Sequence, residues 1–377
     1  MTDVISVYAP SYDPYDGYGR MMLELVYHLS AQGIHVNPMT VPRGKVFYDT
    51  HSPALRELLN RPIKATVGGI VMGYPTLYEE YGELAKAGPR IAITMFESTK
   101  LPEGWVAALN QCDAVIVPAK WQVEAFRDCG VHVPMHVVPL GVSETFKPVN
   151  GMVQRPVRDH AGRTAREPYT FLTIGDRGAA RKGWDVAMLA FVEAFGDRDD
   201  VRLLVKTREK QFAYEMKNAN IEVLQADLDE YGLNDLYNAV DCMVFPSRGE
   251  GFGLPPREFA ATGGPALATE WWADDIQQWG YRIEYKMKTA WGEHSKFKGL
   301  GRWAEPDGAH CTKQMLHVFN QDPNIVAYMG MRSMLAVRKL YSWATFAERV
   351  WGIWQDVTKA PVPATTDRRR RAKRASI

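Results

Sequence analysis

The chain has little of what would place it in a membrane, a disulfide scaffold or a zinc protein. In its 377 residues no apolar run approaches the roughly 20 residues that a membrane-spanning helix needs. Four cysteines, Cys112, Cys129, Cys242 and Cys311, show no Cys-x-x-Cys spacing and no histidines at zinc-ligand intervals, so reduced thiols of a cytoplasmic protein are expected. The N-terminus runs straight into Val4-Ile5-Ser6-Val7-Tyr8, a strand pattern rather than a basic and apolar secretory leader. A glycine turn at Asp16-Gly17-Tyr18-Gly19-Arg20 lacks the third glycine of a dinucleotide fingerprint, because Met22 stands in that place, which disfavours a nicotinamide enzyme. No Asp-x-Asp pair that could clamp a metal stands beside the motifs described below.

Charge is nearly balanced, at +1 overall, but unevenly spread. Between Pro361 and Ile377 six basic residues face the single Asp367, giving that tail +5 and leaving the rest of the chain at −4. The tail lacks apolar periodicity and is expected to be disordered, serving either an anionic partner, such as nucleic acid or a membrane face, or solubility alone.

What the chain does have is a repeated alternation of strand and helix. Apolar runs at 4–9, 34–36, 66–72, 90–95, 114–117 and 136–138 read as buried parallel strands. Between the first two, Met22, Leu25, Val26 and Leu29 fall on one helical face, and Gly33 stands where a C-terminal cap is expected. A second series follows at 169–174, 201–206, 221–225, 241–245 and 265–268. Two successive doubly wound α/β sheets are therefore expected. The aperiodic, arginine-rich stretch 150–168 reads as their linker. This gives an N-terminal domain over 1–149, a second over 169–342, an aromatic amphipathic helix over 343–357 and a basic tail over 358–377.

The most informative segment is Gly249-Glu250-Gly251-Phe252-Gly253-Leu254-Pro255-Pro256-Arg257-Glu258. It follows the apolar strand Asp241–Phe245 and runs into a helix whose first positions hold prolines, where a missing N–H costs little. Strand, glycine loop and helix N-terminus in that order bring backbone N–H groups and partial positive charge to an anion. One carboxylate in the loop and another a turn into the helix can accept from hydroxyls. A ligand with phosphate and many hydroxyls, a nucleotide sugar, suits that set. A second turn of the same kind, Asp176-Arg177-Gly178-Ala179-Ala180-Arg181-Lys182-Gly183, follows the strand Phe171–Gly175 and leads into a helix with Trp184, Ala187, Met188, Phe191 and Phe195 on one face.

Asp241–Thr269 resembles the donor-site signature of retaining GT-B glycosyltransferases of the family-four type, and the Arg177 and Lys182 spacing matches that family's diphosphate-binding pair. The resemblance covers most of 4–355, more closely in the second half than in the first. It implies a GT-B fold: two Rossmann-like domains facing a central cleft, with the last helix returning to the N-terminal domain. Arg177 and Lys182 would hold the diphosphate of a UDP- or GDP-linked donor, and Glu250 would orient the donor sugar. Glu258 would hold the ribose, and the amides of Gly251, Phe252, Gly253 and Leu254 would cover sugar and β-phosphate. Gly17 and Gly19 would face the diphosphate from the N-terminal domain, or form a simple tight turn. Where many members carry a histidine and an aspartate, this chain has Phe96 and Glu97. Glu97 is then either the residue that orients or deprotonates the acceptor hydroxyl or a capping or salt-bridged glutamate. The resemblance implies a hexosyltransferase with retention at the anomeric carbon and no cofactor beyond the donor, and with no Asp-x-Asp clamp beside the donor motifs a metal-independent enzyme is expected. The acceptor stays open among glycan, lipid, protein and modified nucleic acid, the last with the basic tail as tether. A non-catalytic binding protein on the same fold is the other alternative. Trp271 and Trp272, after the strand 265–268, are expected to line the cleft.

Overall fold

The structure is a computed structural model that describes residues 4–13, 17–45, 53–64, 68–81, 88–149, 168–175, 180–208, 218, 220–291 and 298–359. It divides into two compact units, one over Met1–Gly141 that resumes at Trp343, and one over Val142–Ser342.

Among its described residues the first unit holds six strands: β1 (Val4–Ser11), β2 (His35–Lys45), β3 (Gly69–Met72), β4 (Arg90–Ile93), β5 (Ala114–Val117) and β6 (Met135–Val137). They form one parallel sheet in the order β2-β1-β3-β4-β5-β6. Every residue of β3, β4 and β5 is buried, as expected of strands covered on both faces. Helix α1 (Gly17–Ala31) connects β1 to β2 and buries Met22, Leu25, Val26 and Leu29, the four residues whose spacing predicts its inner face. It ends in a Schellman cap. Gly33 takes φ 82, its N–H reaches Ser30 O at 3.0 Å, and Ile34 N–H reaches Leu29 O at 3.2 Å. Only glycine adopts that backbone without strain. Three shorter helices follow, α2 (Pro53–Leu59), α3 (Trp105–Leu109) and α4 (Lys120–Asp128).

The second unit starts with Val142–Val149, which is tied to a helix of its own unit. Ser143 Oγ donates to Glu230 at 2.9 Å, and the amides of Lys147 and Val149 reach Asn234 and Asn238 at 3.0 and 3.1 Å. The division between units therefore precedes the 150–168 stretch, of which 150–167 lies outside the described residues. Six strands, β7 (Tyr169–Ile174), β8 (Val201–Thr207), β9 (Ile221–Gln225), β10 (Cys242–Phe245), β11 (Ala266–Thr269) and β12 (Tyr281–Ile283), form a second parallel sheet in the order β12-β11-β10-β7-β8-β9. Its helices are α5 (Trp184–Phe195), α6 (Glu230–Ala239), α7 (Leu254–Ala261), α8 (Gly308–Asn320) and α9 (Pro323–Leu340). Helix α5 is apolar on most sides because it lies inside the core. Phe191 and Phe195 pack on Phe171 of β7, together with Cys311, Met315 and Val318 of α8. A separate antiparallel hairpin joins β13 (Tyr285–Thr289) to β14 (Arg302–Pro306). The sequence reading anticipates neither β12 nor this hairpin.

The last helix, α10 (Trp343–Lys359), belongs to the first unit and packs on α1. It buries Trp343, Phe346, Ala347, Val350 and Trp354, and so bears out the returning helix. Gly141, where the chain leaves the first unit, lies against the backbone of Trp343, where it comes back. A Cβ at Gly141 would overlap Trp343. The basic tail from residue 360 onward lies outside the described residues.

Candidate donor site

In an open parallel sheet, ligands bind beyond the carboxyl ends of the strands, where the strand order reverses. In the second unit that reversal lies between β7 and β10, which are neighbours in the sheet though far apart in sequence. The two loops singled out by the sequence leave these two strands. After β7 comes Gly175, and then, past residues 176–179 outside the described set, a single 3-10 turn at Ala180–Lys182. After β10 comes Pro246–Gly253, which leads into α7.

The loops are laced together by their backbones. Arg248 N–H donates to Arg181 O at 2.6 Å, and Ser247 Oγ lies 3.0 Å from the same carbonyl. Gly183 takes φ 69 and sits so close to the Pro246 carbonyl that a Cβ would overlap it. Glycine is required there twice over.

Glu250 is 6% exposed and stands where the loops meet. Lys182 Nζ reaches its two carboxylate oxygens at 2.8 and 3.1 Å, Arg181 reaches it at 3.2 Å, and Ser247 Oγ donates to it at 2.7 Å. Burial pushes the Glu250 carboxyl up, but the charges of Lys182 and then Arg181, with hydrogen bonds from Lys182 and Ser247, outweigh it and hold the group below the ordinary carboxylate range. Arg181 also donates to Gly249 O. Two cations and one carboxylate thus share a small volume at the switch point.

The glycine loop rests on aromatic rings. Gly253 takes φ 76, and a Cβ on it would run into the ring of Trp272. Trp272 is 1% exposed and donates its indole N–H to Ser247 O at 2.8 Å. It therefore supports the loop from beneath, buried rather than lining the cleft as the sequence suggests. Arg257 lies below the other end. It is 3% exposed, 4.1 Å from the Phe252 ring, hydrogen-bonded to Phe252 O and ion-paired with Asp275 at 2.7 Å. Burial lowers the Arg257 pKa despite Asp275. Leu254 opens α7, with prolines in its first turn. Among the described residues the amides of Phe252 and Gly253 find no protein acceptor; Gly251 beside them is buried. Glu258 sits inside α7, 3% exposed, and accepts from Tyr237 Oη at 3.2 Å.

Of the other sequence candidates, Arg177 lies outside the described residues. Gly17 and Gly19 are in the first unit, at the β1/β3 reversal. They occupy the first turn of α1 rather than a separate turn ahead of it, because the helix begins at Gly17. Gly19 packs against the Asp13 backbone and has no room for a Cβ, whereas Gly17 faces open space. Tyr18 between them donates to Met95 O at 3.0 Å, which ties this turn to the segment that bears Glu97. Glu97 is half-buried just past β4, and Phe96 is fully buried edge-to-face with Trp105 at 5.1 Å. The sequence reading passed over Arg181, Ser247, Arg248 and Arg257. For Arg181 the signal was present as a second cation beside Lys182. Among the described residues no group of three or more His, Cys, Asp or Glu is placed to hold a metal ion, and no helix is long and apolar enough to cross a membrane.

Residues 168–288 match the family model described as "Glycosyl transferases group 1". No curated protein matches the sequence. Among solved structures the chain is similar to sucrose-phosphate synthase from Thermosynechococcus elongatus, at 17% identity and TM-score 0.63 over 95% of this chain and 100% of that one. It is similar to a glycosyltransferase from Rickettsia africae, at 14% and 0.63 over 96% and 100%. An alpha,alpha-trehalose-phosphate synthase (UDP-forming) from Burkholderia vietnamiensis gives 11% and 0.64 over 97% and 98%. With its two doubly wound sheets the chain has the GT-B fold, and its second unit, around β7, β10 and α7, is similar to the group 1 glycosyl transferases.

Proposed function

We propose that the protein moves a sugar from a nucleoside diphosphate sugar to an acceptor hydroxyl, with retention at the anomeric carbon and without a metal ion. The observation that carries this reading is the convergence of Lys182 and Arg181 on Glu250, beside a loop with unmatched amides, at the reversal of a parallel sheet. In the reaction the bond from the anomeric carbon to the β-phosphate oxygen breaks, and the acceptor oxygen bonds to that carbon. The acceptor proton passes to Glu97 or to the departing phosphate. Negative charge grows on the diphosphate as it leaves, so fixed cations stabilise the transition state more than the ground state. Lys182 and Arg177 fill that role, with Arg181 as a further cation, and they stand in for a divalent metal. Phe252 and Gly253, with Gly251 and Leu254, offer amides to sugar and β-phosphate at the start of α7. Glu250 orients sugar hydroxyls and Glu258 the ribose.

Glu250 has a second part before the donor arrives. It occupies the cations and keeps them placed, so little reorganisation is needed when the diphosphate takes over. UDP-linked sugars come first as donors, since a UDP-forming enzyme is among the similar structures, and GDP-linked sugars second. The four free thiols fit the reducing cytoplasm.

The test is a thermal-shift panel of nucleotide sugars followed by turnover with the best binder, because a ligand of the native state raises stability by mass action. Stabilisation by one nucleotide sugar and turnover in excess chelator are expected, with NMR of the product showing the donor's anomeric configuration. Activity lost in chelator and restored by manganese would overturn the metal-free reading, and an inverted product would overturn retention.

A further inference from the structure

We infer that Arg248 is a positioning residue, one that touches no substrate and sets the geometry of Arg181, Lys182 and Glu250. The inference deepens the donor-site reading and rests on it for its effect on turnover. Arg248 stands two residues before Glu250 and is 2% exposed. A guanidinium has five N–H donors, and here protein acceptors account for all of them. Nε and Nη2 reach the two oxygens of Glu305 at 2.9 and 2.8 Å. Nη1 and Nη2 reach those of Asp185 at 2.9 and 2.8 Å, and Nη1 also meets Ala180 O at 2.5 Å. The Trp291 ring lies 4.8 Å from the guanidinium carbon. Burial works against the charge, yet Asp185 and Glu305 outweigh it and raise the Arg248 pKa, so the cation is permanent. With every donor engaged, nothing is left over for a phosphate.

The acceptors say what this side chain holds. Ala180 and Asp185 flank Arg181 and Lys182 on either side, so one guanidinium fastens both ends of the turn that carries the cations. Arg248's own backbone N–H donates to Arg181 O, and its carbonyl accepts from Ala304 N–H at 2.9 Å. The next two residues, Gly249 and Glu250, supply the carbonyl and the carboxylate that Arg181 and Lys182 meet. Glu305 belongs to β14, and Trp291, which follows β13, donates to Glu305 at 3.3 Å. The unanticipated hairpin thereby becomes the buttress of the site. It supplies one carboxylate and one ring to a guanidinium that would otherwise face water. A lysine cannot replace this planar fork, since it carries its charge at a point.

The test compares Arg248→Lys with Glu305→Gln, the second a milder change on the outer side of the fork. Each purified variant is treated with an amine-acetylating reagent, and the labelling rate of Lys182 is read by mass spectrometry against exposed Lys313 as an internal reference. Donor and acceptor kinetics and thermal midpoints are measured on the same samples. Expected are a several-fold faster relative labelling of Lys182 in both variants and a drop in kcat of about tenfold, the equivalent of one charge-assisted contact. Acceptor KM should stay unchanged. A merely structural role would lower the midpoint and leave the labelling ratio and the kcat of the folded fraction as in the wild type, and that result overturns the inference. If Arg248→Lys does not fold, Glu305→Gln decides alone. A Lys182→Ala protein with wild-type turnover would instead remove the donor-site reading, and the labelling result would still stand.

Discussion

Replacing Lys182 with alanine is the most direct probe of the donor site. The Lys182 side chain is a quarter exposed, and its ammonium bridges both oxygens of the buried Glu250 carboxylate. In the ligand-free protein its loss leaves Glu250 with Arg181 at 3.2 Å and Ser247 at 2.7 Å. The carboxylate therefore stays paired, and the cost to folding should be only about 1–2 kcal/mol. In the donor complex the loss is larger in effect. One charge-assisted contact to the diphosphate is worth about 1.5–3 kcal/mol, or roughly ten- to a hundred-fold in kcat/KM. Because charge grows on the diphosphate only as the sugar departs, kcat should fall more than donor KM rises. The assay is release of nucleoside diphosphate over a range of donor concentrations, with urea unfolding of the same preparation as a control. A folded variant whose kcat/KM stays within about twofold of wild type would refute the role of Lys182, because losing a cation at the leaving group must cost more than that.

Three further outcomes follow from the same geometry. The folded Glu250 carboxyl lies below its ordinary value of 4.5, so the stability it contributes is complete above that pH and is lost as pH falls through the depressed folded value. Lys182→Ala should thus move the acid-unfolding limb to higher pH by tryptophan fluorescence, and superimposable limbs would contradict the ion-pair account. Gly253→Ala should cost about 1–3 kcal/mol for the left-handed backbone and a similar amount for collision with Trp272; an unchanged urea midpoint would show that the loop is not seated as described. Under native conditions Ellman's reagent should modify half-buried Cys129 well before Cys311, whose thiol is buried and pushed up to about 12. Equal rates would mean that the core around α8 opens readily.

The meeting of Glu250 with Lys182 was legible in the sequence because both motifs follow apolar strands. Strand-end loops can converge only if those strands are neighbours, and the Rossmann winding makes β7 and β10 neighbours. The partition of cations was not legible. Arg181 and Lys182 are adjacent, and whether a residue in a 3-10 turn faces the carboxylate depends on one dihedral. Arg248 and Arg257 were hidden for a different reason: the sequence shows an arginine, and burial decides whether it is a solvated charge or an internal strut. The hairpin escaped because Lys286 and Lys288 break up β13, leaving no apolar run to detect. At Gly17 and Gly19 two glycines read as a turn, since glycine ordinarily weakens a helix interior. Close approach to Asp13 instead places Gly19 inside α1.

The contact between Gly141 and Trp343 has a consequence for how the gene can be cut. The polypeptide departs from its first body and rejoins it at touching residues, so the stretch from 142 to 342 is a cassette spliced into a host. A fragment stopping near residue 149 would strip α1 of its partner helix and should aggregate. Fusing position 141 to 343 through a short glycine bridge should give a freestanding host, and the excised cassette, keeping Lys182, Glu250 and the hairpin together, should bind nucleotide without it.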